Sequence, residues 1–192
     1  MGTKGREIVG VNVDKLLKMM NKAYADEWLA YYQYWVGAKV ATGRMRGIVS
    51  EELAEHAEEE LKHAEMLAER ILQLGGTPLI TPEALLKETN CGYDAPTDPS
   101  TKALLAQNIK GEQCAIETYK KLFDFVQGKD PITEKIILEI LEDEVEHEDD
   151  LQTMLEDMKE PAVVAKPVAT KPVAAKAVKV KPAKAKPVAA KK

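Results

Sequence analysis

Cysteine is scarce in this chain: two among 192 residues, too few for the disulfide framework of a secreted scaffold. Long hydrophobic runs are missing as well, and none approaches the roughly 20 apolar residues that span a bilayer. Residues 1–6 carry no apolar leader segment, and Arg6 breaks the pattern read by N-myristoylation. A cytoplasmic protein is expected from these absences. A further absence is local: residues 161–192 contain no acidic side chain, although the chain holds 32 of them.

That acid-free stretch divides the sequence in two. It has nine lysines, five prolines, ten alanines, seven valines and one threonine. The overall net charge of −5 therefore conceals opposite objects, since residues 1–160 hold every acidic residue against 18 of the 27 basic ones, a net charge of −14. The whole chain is 45% hydrophobic, and residues 1–160 are expected to form one domain with a substantial core. Residues 161–192 are expected to be a disordered arm, because recurrent proline forbids a continuous helix and regularly spaced lysines repel one another. Its cations are Lys166, Lys171, Lys176, Lys179, Lys181, Lys184, Lys186, Lys191 and Lys192. They suit phosphate backbones but read no bases, so the expectation is non-specific, salt-sensitive DNA binding and association with the nucleoid. The competing reading is a solubilising arm that lies on the acidic domain.

Residues 1–160 read as four long amphipathic helices. Asp14 is placed to cap the first, and Gly43 stands near its end; Ser50 falls in the first turns of the second, which stops at Gly75-Gly76. Asp98-Pro99 and Asp130-Pro131 each put a capping aspartate before a proline, the arrangement that opens a helix, and are assigned to the third and fourth. Residues 75–97 make a connection too long for a bare loop in a bundle, and residues 81–88 within it read as a short capped helix. A long crossover there makes the second and third long helices parallel.

The apolar seams of these helices are interrupted at matching places. The first runs Leu16, Met20, Ala23, Glu27, Tyr31, Tyr34, Ala38; the second Leu53, Ala57, Glu60, Ala64, Leu67, Ile71, Leu74. The third runs Leu105, Ile109, Glu112, Ile116, Tyr119, Phe123, Val126, and the fourth Ile137, Ile140, Glu144, His147, Leu151, Met154, Met158. His63, three residues past Glu60, lies about 60° around the helix from it, so both share the inward face. Two Glu-x-x-His units and two lone glutamates thus point into one core. A single Glu-x-x-His in an acidic chain is more often coincidence; two in register with two further buried glutamates are not. Four buried carboxylates need neutralising, at several kcal/mol for each unpaired ion. No lysine or arginine lies in the seams, which leaves shared protons or metal, and two divalent cations balance four glutamates. Oxygen donors with two imidazoles suit iron or manganese. Tyr34, two turns beyond Glu27, can donate to a ligating carboxylate. His56, one turn before Glu60, is read as a wall or supporting residue instead of an additional ligand.

Cys91 falls in the crossover, and Cys114, two residues after Glu112, points about 200° away from the seam. Two readings stay open for them: a disulfide, acting as a redox pair that tethers the crossover beside the carboxylates, or two unpaired packing cysteines.

A glutamate from each of two helices with Glu-x-x-His from each of two others is the pattern of the di-iron and di-manganese carboxylate bundles. On Glu27, Glu60, His63, Glu112, Glu144 and His147, with Tyr34 nearby, the chain resembles the ferritin-like superfamily over about residues 10–158, and its ligand set resembles the bacterioferritin ferroxidase centre. The crossover helix and the lack of a fifth long helix are similar to the Dps mini-ferritins. Joined with cysteines at 91 and 114, these features resemble the Dps-like proteins called thioferritins. The resemblance implies an all-α ferritin-like bundle and a homo-oligomer, a hollow dodecamer. It also implies two iron ions per subunit, with manganese possible, and oxidation of Fe(II) by hydrogen peroxide or oxygen with storage of the product. The six metal residues would then be the catalytic ones. The lysine-rich ending departs from that family and looks like a linker-histone tail. Two other readings are a rubrerythrin-like peroxidase without storage, which would need an external electron donor, and a nucleoid-compacting protein with a structural metal site.

Overall fold

The seams find one another in pairs. In the computed structural model, which describes residues 3–159, helices α1 (Thr3–Glu7), α2 (Val13–Val40), α3 (Arg46–Gln73), α4 (Pro82–Glu88), α5 (Thr101–Val126) and α6 (Pro131–Asp157) account for the regular structure. Among the described residues there is no strand beyond one isolated bridge, and no helix long and apolar enough to cross a membrane. The lysine-rich arm expected over 161–192 lies outside the described residues.

Helices α2 and α3 form one tightly packed hairpin and α5 and α6 another, joined by the crossover that carries α4. Three hydrogen bonds fix how the hairpins are stacked. Thr101 N donates to Thr42 O and Thr42 N to Pro99 O (2.9 and 2.7 Å), which puts the starts of α3 and α5 side by side. Gly10 N donates to Lys129 O at 2.7 Å, bringing the starts of α2 and α6 together at the opposite end. Helices α3 and α5 therefore run parallel, as the long crossover requires. At that opposite end the chain leaving α3 passes close to α2: a Cβ at Gly76 would meet Leu17 Cδ2 at 2.6 Å, so a larger residue there would have to displace the Leu17 side chain.

The helix boundaries show where local signals compete. Asn12, not Asp14, caps α2, its Oδ1 accepting from Lys15 N at 2.8 Å; Asp14 sits one residue inside, where its charge still favours the positive end of the helix dipole. Asp98-Pro99 does not open α5, which starts at Thr101 with Ser100 as its cap. The physical reason is the pairing with Thr42, which holds Pro99 and Ser100 extended while Asp98 Oδ1 is spent on Ser100 N. Asp130-Pro131 does open α6 and Thr81 does cap α4, as expected. The five-residue α1 was not foreseen; it carries Arg6, whose guanidinium donates to Leu74 O at 2.6 Å at the end of α3.

Two apolar clusters fill the bundle, one at each end. One gathers Leu16, Met20, Leu67, Ile71, Leu122, Val126 and Ile137; the other Ala38, Val49, Leu53, Leu104, Leu105 and Leu151. The seam residues are buried with few exceptions. Tyr31, Ile116, Phe123, Met154 and Met158 are half-buried, and on α5 the neighbouring Leu104, Asn108 and Leu122 are fully covered, because that helix faces α2, α3 and α6 at once and buries a band wider than one stripe.

One buried ion pair joins the hairpins. Arg70 of α3 is 3% exposed; its Nη2 donates to both oxygens of Asp130 (3.0 and 2.9 Å) and its Nε to Thr133 Oγ1 at 2.8 Å. Burial would raise the Asp130 pKa, but hydrogen bonds from Thr133 and Arg70 outweigh it and hold the carboxyl below its usual range. The same aspartate caps α6. Asp130→Ala strands the guanidinium in the interior and should lower the unfolding free energy by about 3–5 kcal/mol in a urea titration. The wild-type contribution should be complete above the ordinary carboxylate range and fade as pH falls through the lowered pKa. A loss under about 1 kcal/mol would show that the pair does not hold the hairpins together.

Candidate metal centre

Between the two apolar clusters, each long helix delivers acid to the same point. Glu27, Glu60, His63, Glu112, Glu144 and His147 are all at most 3% exposed. Oxygen and nitrogen atoms of Glu27, Glu60, His63 and Glu144 lie within 4.8 Å of one another, and so do those of Glu60, Glu112, Glu144 and His147. Glu60 and Glu144 belong to both groups. His63 Nδ1 is 3.4 Å from Glu27 Oε2, 3.5 Å from Glu60 Oε2 and 3.5 Å from Glu144 Oε1. His147 Nδ1 is 3.5 Å from the other oxygen of Glu60 and 3.8 Å from the other oxygen of Glu144. The two central glutamates therefore each turn one oxygen toward either histidine, the disposition of bridging carboxylates.

The surrounding groups fix these side chains from behind. His63 Nε2 lies 3.0 Å from Asp143 Oδ2 and His147 Nε2 3.0 Å from Glu59 Oε2, so in the neutral rings Nε2–H donates outward and Nδ1 keeps a lone pair aimed at the carboxylates. Tyr34 donates to Glu112 Oε1, and Tyr119 to Glu27 Oε1 at 2.5 Å. Glu27 Oε2, Glu60 Oε1, both oxygens of Glu144 and Nδ1 of both histidines are buried without a hydrogen-bond partner. Buried polar atoms are ordinarily paired, and this many orphans converging on one point fits a pair of cations.

Sequence reasoning missed Tyr119, Glu59 and Asp143, yet each left a trace. Tyr119 follows Glu112 by the seven residues that separate Tyr34 from Glu27, and an acidic residue precedes each Glu-x-x-His. The α2–α3 hairpin and the α5–α6 hairpin thus repeat one motif, and each histidine is held by the acidic residue of the other hairpin. His56 behaves as a wall residue in one respect: its ring stacks on His147 with centroids 4.1 Å apart and meets Tyr34 edge-on.

The electrostatics follow from burial. Desolvation, then the charge of Glu60, pushes Glu27 well above the carboxylate range; desolvation, then Glu144, does the same to Glu112. Glu144 is raised to about 8 by burial and by Glu60 and Glu27. Burial acts against Glu60 too, but hydrogen bonds with His147 and His63 outweigh it and keep Glu60 ionised far below its usual range. The histidines move oppositely to what burial alone dictates: Glu144, Glu27 and Glu60 drive His63 strongly upward, and Glu60 brings His147 to about 9. Without metal, protons supply the positive charge; cations would displace them.

The crossover closes one side of this centre. Cys91 and Cys114 are joined by a disulfide, Cα atoms 5.7 Å apart, which ties the crossover to α5. Asp26, adjacent to Glu27, is buried and accepts from Asn90 N, Asn90 Nδ2 and Cys91 N (2.7, 2.6 and 2.9 Å) as well as from the Thr89 hydroxyl. Gln33 Oε1 accepts from Asp94 N at 3.0 Å. Beneath this strap a cleft of about 190 Å³, bordered by Cys91, Asp94 and Lys110, reaches Glu27, Glu112 and Glu144.

An all-helical bundle joined by a long crossover, with paired glutamates and Glu-x-x-His units at its centre, defines a helical bundle with a carboxylate-rich core, and the chain belongs to the ferritin-like family, whose domain it matches over residues 17–160. Within that family its likeness is to Dps-type proteins. It is 35% identical to a DNA protection during starvation protein of Pyrococcus furiosus, across 74% of this chain and 77% of that one. A dodecameric thioferritin of Bacteroides fragilis, described as bacterioferritin-related, superimposes with a TM-score of 0.81 at 43% identity, covering 82% of this chain and 95% of that one. Dps from Thermosynechococcus elongatus shares the fold alone, with a TM-score of 0.72 at 18% identity over 79% and 96% of the two chains.

The raised pKa values make the metal-free bundle pH-sensitive in a definite direction. A group whose pKa is higher folded than unfolded stabilises below the unfolded value and loses that contribution as pH climbs through the folded one. For Glu144 and His147 the window runs from about 4.5 to about 9. Metal-free protein should therefore show a falling Tm across this window by calorimetry, and saturating Mn²⁺ should flatten the curve. A Tm that rises with pH in the metal-free protein would contradict the proton-balanced cluster.

Proposed function

We propose that this protein is an iron-oxidising and iron-storing mini-ferritin that protects DNA by consuming hydrogen peroxide, or oxygen, together with Fe(II). The reading is carried by one observation: six unpaired, buried atoms from α2, α3 and α6 converge, together with Glu112 of α5, on two overlapping groups that share Glu60 and Glu144. Each ferrous ion would be held by one histidine and one terminal glutamate, Glu27 with His63 and Glu112 with His147, and both by the shared pair. The same six residues are the catalytic set.

The metal ions are substrate and supply the electrons: two Fe(II) give one each, the O–O bond of peroxide breaks, and two protons are taken up to form two waters. The protein's own contribution is position and charge. Glu59 and Asp143 hold the imidazoles with Nδ1 forward. Tyr34 and Tyr119 orient the terminal carboxylates. The apolar clusters on either side keep bulk water from the reacting atoms. Iron and manganese both satisfy this donor set; iron is favoured by the relatives.

Assembly into a homo-oligomer, a dodecamer as in the Bacteroides thioferritin, is supported by an apolar groove on the outside of α2 and α4. It is lined by Trp28, Tyr31, Tyr32, Leu85, Leu86 and Tyr93, with Tyr32 and Leu86 at least half exposed. In the cytoplasm, twelve lysine-rich arms on one particle would bind DNA by avidity and hold it at the nucleoid.

Stopped-flow oxidation of Fe(II) with peroxide tests the chemistry: Glu60→Ala/His63→Ala should slow it at least ~100-fold relative to wild type, with soluble ferric product retained only by the wild type. Peroxide turnover that stops unless an external reductant is added would instead favour a cycling peroxidase. For the arm, protein truncated after Glu160 should lose DNA affinity in a gel shift, and wild-type affinity should fall steeply with salt; equal affinity with and without the arm would remove DNA from the proposal.

A further inference from the structure

On the side of the bundle away from the disulfide strap, a second cleft of about 140 Å³ opens between α3 and α6. Six carboxylates line it and no lysine or arginine does. Two of those six, Glu59 and Asp143, already hold His147 and His63. The remaining chemistry gathers one turn further out, where a ring nitrogen of His56 and one carboxylate oxygen from each of Glu52 and Asp150 lie within 4.8 Å of one another. None of the three has a part in the four-glutamate cluster.

His56 is the observation that separates this group from a solvated acidic patch. Its ring is 2% exposed, and its Nδ1 has no hydrogen-bond partner among the described residues. Its Nε2 stands 3.5 Å from Glu52 Oε1, at the outer limit of hydrogen bonding. Packing alone fixes the ring, flat against His147 and edge-on to Tyr34. An imidazole held in this way, lining a cleft with two half-buried carboxylates within reach, has the disposition of a ligand.

We propose that Glu52, His56 and Asp150 form a third divalent-cation site, of one imidazole and two carboxylates, that receives a first-row cation from solvent and passes it inward. With three protein ligands, two of them partly exposed, it binds more weakly than the fully buried centre, as a station for transfer must. Onward passage runs past His147, whose ring both stacks on His56 and faces Glu60. The passage rests on the proposed function of the inner cluster; the binding itself does not.

Mn²⁺ titrated calorimetrically into metal-free, full-length protein, with bound metal counted after equilibrium dialysis, tests this. His56→Ala would loosen the packing on His147, so the nearly isosteric Glu52→Gln/Asp150→Asn carries the experiment. It should bind one Mn²⁺ per chain fewer than wild type, the weaker component vanishing while two tight ions remain. Glu27→Gln/Glu112→Gln should weaken the tight component and keep the weak one. Equal stoichiometry in wild type and Glu52→Gln/Asp150→Asn would overturn the third site and leave the inner centre standing. A wild type that takes up a single ion, lost in Glu52→Gln/Asp150→Asn, would instead uphold the third site and reject the paired inner centre.

Discussion

Four glutamates buried at one point are the constraint around which the rest of this bundle is arranged. Negative charge removed from water must be met by protons or cations held at contact distance, and the bundle provides for both. Two histidines are driven to bind protons by the carboxylates, and their Nδ1 atoms face the same carboxylate oxygens. The neighbouring architecture serves this centre. Glu59 and Asp143 fix the rings, two tyrosines take up the outer carboxylate oxygens, and an apolar cluster at each end supplies the burial energy that offsets the cost of so polar a middle.

The centre is also a joint between two copies of one motif. Each hairpin brings a glutamate and a tyrosine on one helix and an acidic residue followed by Glu-x-x-His on the next. Each histidine is then clasped across the interface by the other hairpin. The Arg70–Asp130 pair repeats that logic at one end, tying the last turns of α3 to the first turn of α6. On opposite sides of the centre the molecule differs. The strap secured by Asp26 and the disulfide covers a cleft that contains Lys110, whereas the cleft between α3 and α6 is lined by carboxylates. The second therefore carries the more negative lining.

Sequence reading succeeded where a signal is periodic and failed where it is relational. The six inward residues could be found because each interrupts an apolar seam at the position where a hydrophobe is due, and burial follows from helix geometry. Asp130-Pro131 and Thr81 were found because a capping side chain acts within four residues. Asp98-Pro99 has the same letters and a different fate, since the pairing of Thr42 with Pro99 and Ser100 comes from residues nearly sixty positions away. Arg70 was overlooked for a related reason: a buried arginine is improbable until its partners Asp130 and Thr133, sixty residues later, are known to be adjacent. Asp26 carries no periodic signal of its own, since its partners Thr89, Asn90 and Cys91 lie more than sixty residues on.

Spacing along the chain was therefore enough for the class of fold, the parallel crossover and the six polar residues that face the centre, because a 3.6-residue period turns position directly into direction. It could not tell which glutamates would lie between the two histidines, which tyrosine would meet which carboxylate, whether Cys91 would reach Cys114, or that His56 would face Glu52 and Asp150. Those pairings are set by how two hairpins rotate and slide against each other, and a shift of one helical turn would change every one of them while leaving each seam intact.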